Sequence, residues 1–77
     1  MTLKELGEEL KDMYDNAPIK ESVSMIHLFG IKFAEEINQK GYSKKDIIES
    51  SGIPISYLTE LNKGMRLAKF VVVKDSY

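Results

Sequence analysis

Leu3, Leu6, Leu10 and Met13 recur at 3-4-3 spacing behind Thr2, with charged residues filling the positions between them. That period lays one apolar stripe along a helix, and Thr2 followed three residues later by Glu5 is a capping-box pattern. The spacing predicts a helix over 3–15 with an acidic outer face. The stripe is also heptad-like, but its two heptads are too short for a coiled coil, so it is expected to dock on the chain's own core. Asn16-Ala17-Pro18 breaks the pattern, and Ser22 is the expected N-cap of a second helix. Val23, Ile26, Gly30, Phe33 and Ile37 form one face of it, while Met25, Leu28, Phe29 and Ile31 widen that face almost all the way round. A helix apolar on most sides is central, with neighbours on several faces. Gly30 in its middle costs about 1 kcal/mol against alanine, so another backbone is expected to approach there. Lys40-Gly41 ends the helix, with glycine in the C′ role.

Ser43 with Asp46 three residues on predicts a third helix, which carries Ile47 and Ile48 inward and stops at Gly52. Pro54 is tolerated in a first turn, so a fourth helix is expected to follow at once with Tyr57, Leu58 and Leu61, ending at Gly64. Phe70 to Val73 is β-branched, led by an aromatic and flanked by charge, and reads as a short strand. The expected architecture is therefore all-α: one four-helix domain over 1–77 with a short C-terminal β-strand at 70–73.

Two short helices joined by a tight glycine turn define a helix-turn-helix, and residues 43–64 supply one. Counting from Gly52, apolar residues sit five before (Ile47), one after (Ile53), six after (Leu58) and nine after (Leu61). Those positions must interlock when two helices cross steeply and both rest on a third. Gly52 takes the positive φ of the turn at little steric cost.

Composition changes this picture little, and charge changes it more. With 43% apolar and 30% charged residues the chain lies well above the disorder range, and with no cysteine it has neither a disulfide nor a thiolate metal site. A chain of 77 residues buries only roughly 60% of its unfolded surface, which makes a partner, most simply a second copy, worth expecting. The net charge of −1 is a sum of unlike halves: residues 1–39 hold four lysines against eight carboxylates, and residues 40–77 hold seven bases against four. The halves carry −4 and +3, and the positive one contains the helix-turn-helix. The acidic N-terminus does not have the pattern of a secretory leader, and the apolar run from Val23 to Ala34 is too short and interrupted to span a bilayer, so a cytoplasmic protein without membrane contact is expected. No nucleophile, acid and base recur at a useful spacing, and His27 lies in an apolar run where a core or half-buried role is expected. An enzyme is not expected, nor is a cofactor, metal or small-molecule ligand.

The segment GIPISYLTELNKGMR resembles the turn and recognition helix of the Cro/repressor (XRE-like) helix-turn-helix proteins. The matching positions are Gly52, Ile53, Tyr57, Leu58, Thr59, Leu61 and Gly64, with Arg66 close to that family's usual basic residue, and the resemblance covers about residues 31–70. Three departures stand out. Ile48 replaces a small alanine, Pro54 replaces a capping serine or threonine, and the two further helices of most repressor domains are missing. Helix 1 and the C-terminal strand are expected to supply that missing core.

The resemblance implies a double-stranded DNA partner and a transcriptional regulator of phage or bacterial type. In a docked helix-turn-helix the N-terminal part of the second helix enters the major groove. Ile55, Ser56, Thr59, Glu60 and Lys63 are then the residues expected at base edges: hydroxyls to bases or phosphate, Glu60 to a cytosine amino group, Ile55 to a thymine methyl. Lys44, Lys45, Arg66 and Lys69 read as phosphate contacts, and Tyr57 joins them through its hydroxyl with a half-buried ring. A lone strand leaves its hydrogen bonds unmet, so Phe70, Val71, Val72 and Val73 are expected to pair with a second copy in a homodimer. The alternative dimer contact is helix 1, through Leu3, Leu6, Leu10 and Met13. The competing functional reading is a protein-interaction module that keeps the fold without DNA, for which the acidic first helix and Glu60 argue.

Overall fold

A computed structural model describes residues 1–74. α1 (Leu3–Asp15) starts on the expected capping box: Thr2 Oγ1 accepts from the Glu5 amide at 3.1 Å, and Glu5 Oε1 accepts from the Thr2 amide at 2.8 Å. α2 (Ser22–Lys40) begins one residue earlier than predicted, with Glu21 at the N-cap and no side-chain cap. It ends on Gly41 at φ 70°. α3 (Lys44–Ser51) is capped by Ser43, whose hydroxyl accepts from the Asp46 amide, and is closed by Gly52 at φ 80°. Next comes a 3-10 turn at Ile55–Tyr57, then α4 (Leu58–Leu67).

Leu6, Leu10, Ile26, Phe29, Ile37, Ile47, Ile48 and Leu61 form the fully buried centre. α2 packs against both α1 and α4, and α1 packs against α3, which gives α2 the central place its broad apolar surface predicts. Leu6 and Leu10 have no exposed surface and Leu3 and Met13 pack against the same core, so α1 is a core element and not a free seam for a second copy. Gly7 lets α3 come close: a Cβ there would collide with the Ser50 side chain and its carbonyl carbon.

Two expectations fail at the C-terminal end. Gly64 does not stop α4; it is buried inside the helix, which continues to Leu67. The reason is the crossing of α2 and α4. A Cβ on Gly64 would lie 2.5 Å from the His27 carbonyl oxygen, and one on Gly30 would lie 2.8 Å from the Met65 nitrogen. Both glycines therefore serve the close backbone approach anticipated for Gly30 alone. The predicted strand over Phe70–Val73 is also absent. A turn carries the chain from Ala68 to Phe70, with the Phe70 and Val71 amides both donating to the Leu67 carbonyl, and Val71–Lys74 has no regular structure. Among the described residues there is no neighbouring strand to satisfy the backbone of an FVVV segment. Among the described residues no helix is long and apolar enough to cross a membrane.

Candidate nucleic-acid interface

The turn between α3 and α4 is built by Ser51, a residue that apolar spacing does not single out. Its buried hydroxyl donates to the Ile48 carbonyl at 2.6 Å and accepts from the Ile53 amide at 3.2 Å. With Gly52 left-handed, this delivers Ile53 to the core and turns Pro54 outward. Pro54 then heads the 3-10 turn, its carbonyl accepting from the Tyr57 amide at 3.1 Å. The second helix of the motif thus enters through a tighter turn than predicted, because proline supplies no capping side chain and fixes φ near −60°.

Leu61, Gly64 and Met65 are the buried face of α4. Thr59, Lys63 and Arg66 follow one another at spacings of four and three on the opposite face, and all three are exposed. Ser56 and Ile55 precede them in the 3-10 turn, exposed as well. Four of the five residues predicted for base edges (Ile55, Ser56, Thr59 and Lys63) therefore stand on an accessible surface. Glu60 differs. It is half-buried on the flank towards α2, where His27 Nε2 lies 2.8 Å from its Oε1 and Lys63 Nζ lies 3.4 Å from its Oε2. Each carboxylate oxygen thus has a partner within the protein, His27 on one and Lys63 on the other. The His27 hydrogen bond, joined by the Lys63 charge, holds the Glu60 carboxyl below the usual range even though partial burial works against that.

The two flanks of α4 differ in chemistry. One carries His27, Lys63, Arg66, Leu67 and Phe70 around an open, mainly apolar groove. The other gathers Lys44, Arg66 and Lys69 with Asn38, Asn62 and Met65 around a polar groove. Three of the predicted phosphate contacts thus meet in one place. Lys45 stands apart, its Nζ 4.0 Å from Glu49 on the exposed side of α3. Tyr57 has the predicted half-buried ring, packed edge-on against Tyr14 of α1 at 5.4 Å between centroids, which makes it a link between α1 and the turn.

Asn38, Asn62 and His27 were not among the sequence-derived candidates. Asn62 is legible in hindsight, one helical turn before Arg66. Asn38 and His27 belong to α2 and reach this surface only through the crossing at Gly30 and Gly64.

The HTH-like domain family matches residues 2–74. The chain belongs to that family. The match covers nearly the whole chain and places α1 and the segment after α4 inside the HTH-like domain, together with the helix pair. It supports a helix-turn-helix protein in general and does not single out the Cro/repressor branch. No curated protein and no solved structure matches the chain.

Proposed function

We propose that this HTH-like domain is a sequence-specific, double-stranded-DNA-binding transcriptional regulator of phage or bacterial type, cytoplasmic, non-enzymatic and acting as a homodimer. The observation that carries this reading is the exposed face of α4. Thr59, Lys63 and Arg66 lie clear of the core on the second helix of the motif, the one that such folds insert into the major groove, and Ser56 is exposed in the 3-10 turn that leads into it. The one carboxylate on that helix, Glu60, is already paired with His27 and Lys63, which removes the main electrostatic objection to phosphate nearby. Thr59 and Ser56 offer hydroxyls to base edges, Lys63 offers a donor to guanine, and Ile55 offers an apolar contact to a thymine methyl. Phe70 and Val72 are 82% and 90% exposed, and burying that apolar surface against a second copy accounts for a homodimer without requiring a strand.

Selection of bound sequences from a random duplex pool tests this reading. Enrichment of a palindrome with half-sites roughly one helical turn apart supports it. Recovery of unenriched input would overturn sequence-specific binding by a two-fold dimer.

A second reading, a protein-interaction module, draws on the same apolar exposure. Ile55 at 53% and Phe70 at 82% are large apolar side chains at the two ends of the α4 face. Under that reading α4 meets a protein surface, and the selection experiment returns nothing.

A further inference from the structure

We propose that the groove between the C-terminal half of α2, the first turn of α3 and the far end of α4 is a single phosphate seat, formed by Asn38, Lys44, Asn62, Arg66 and Lys69. The groove has a volume of about 440 Å³, and its sixth lining residue, Met65, is apolar; no carboxylate lines it. Three positive charges from two elements and the turn after α4 face one space with no acid among them. Lys11 pairs with Asp15, Lys45 with Glu49 and Lys63 with Glu60, while Lys4, Lys20, Lys32 and Lys40 are unpaired among the described residues but do not line this groove. Among the described residues Lys44, Arg66 and Lys69 have no such partner, and the side-chain amides of Asn38 and Asn62 make no hydrogen bond to the protein.

The donor set fits a phosphate group better than a carboxylate. Arg66 presents a planar fork that matches two phosphate oxygens, the lysines supply point charges, and two amide NH₂ groups add directional donors without adding charge. A carboxylate has two oxygens and one charge to set against that array. A phosphate has more oxygens to bond, whether it is a phosphodiester of duplex DNA beside α4 or a free phosphate. The seat stands on its own geometry; only the identification of its phosphate with the DNA backbone rests on the function proposed above.

One consequence separates a shared seat from three independent surface charges. The salt dependence of duplex binding counts phosphates neutralised, at a slope of about −0.9 for each. If Lys44, Arg66 and Lys69 hold one phosphate between them, the triple variant Lys44→Gln/Arg66→Gln/Lys69→Gln lowers the slope by about one. Three separate contacts would lower it by about three. All three residues are exposed, so the variant keeps its helical circular dichroism.

The experiment is a nuclear magnetic resonance titration of the intact chain with inorganic pyrophosphate and, separately, with a random duplex, following the Asn38 and Asn62 side-chain amides. Salt slopes of the wild type and the triple variant accompany it. Movement of both amides under both ligands, or under duplex alone, supports the seat and assigns its phosphate to the DNA backbone. Movement under pyrophosphate alone supports the seat, gives it a free phosphate, and overturns the assignment of that phosphate to the DNA backbone. Duplex-induced shifts at Thr59 and Lys63 with both amides still under either ligand overturn the seat and leave DNA binding standing. A slope change of about three, or no movement of these amides under any ligand, also overturns it.

Discussion

His27 on α2 reaches the carboxylate of Glu60 on α4, Nε2 to Oε1 at 2.8 Å, across thirty-three positions of sequence. This contact and the Lys63 pair keep Glu60 ionised to lower pH than an ordinary glutamate. The folded carboxyl lies below its unfolded value, so its contribution to stability is complete above the ordinary glutamate range and is lost as pH falls through the lowered value. Glu60→Gln should therefore lower the neutral plateau of a thermal-stability curve towards its acid value, flattening the limb between pH 7 and 3 while leaving the acid end little changed. An acid limb identical to wild type would contradict the pairing.

The same contact governs the charge presented by α4. His27→Ala frees the Glu60 carboxylate beside Lys63 and should weaken duplex binding severalfold at low salt. Adding Glu60→Gln to that variant should restore it, since the loss comes from an uncovered anion and not from a missing histidine contact. Fluorescence anisotropy on the two single variants and the double variant measures the restoration.

At the crossing of α2 and α4 the glycines should be unequal to those in the turns. A Cβ at Gly30 or Gly64 meets backbone atoms within 3.0 Å, whereas one at Gly41 meets nothing within 4 Å. Overpacking of this kind costs about 1–3 kcal/mol, offset only in part by about 1 kcal/mol of helix propensity. Backbone atoms cannot swing aside, so both alanine variants should fall at the costly end, with melting temperature dropping roughly 4–8 °C per kcal/mol. Gly41→Ala should lose only about 1–2 kcal/mol, from its left-handed φ. Urea unfolding of the three variants gives the order.

The proposed homodimer predicts that Phe70→Ser with Val72→Ser sediments as a monomer where the wild type sediments as a dimer, with unchanged helical circular dichroism, because both side chains are exposed in the single chain. Leu10→Ala should instead cost about 2–5 kcal/mol and unfold much of a domain this small, since Leu10 is wholly buried. Sedimentation velocity separates the two behaviours. Dissociation caused by changes on the outer face of α1 would contradict this placement of the contact.

Local signals carried most of the fold. The capping box at Thr2 and Glu5, the left-handed glycines at 41 and 52, and the spacing of Ile47, Ile53, Leu58 and Leu61 each act over a few residues. What was misread depends on distant partners. Gly64 looks like a stop because glycine ends helices, yet the nearness of His27 is what demands it. Phe70 to Val73 has strand-like composition but, among the described residues, no neighbouring strand to pair with. On α4 the exposed positions followed from helical period alone, so Thr59, Lys63 and Arg66 were readable. The engagement of Glu60 was not, because it needs a histidine delivered by another helix. Asn38 was hidden for the same reason.

The central claim, that the exposed face of α4 binds DNA, is tested most directly by fluorescence anisotropy of a labelled random duplex titrated with protein at about 50 mM and 200 mM salt. The account predicts saturable binding in the micromolar range at low salt, weakening steeply at the higher concentration, and weakened again by Lys63→Gln at either. An anisotropy that stays flat at low salt up to tens of micromolar protein, or binding indifferent to salt and to Lys63, would contradict it.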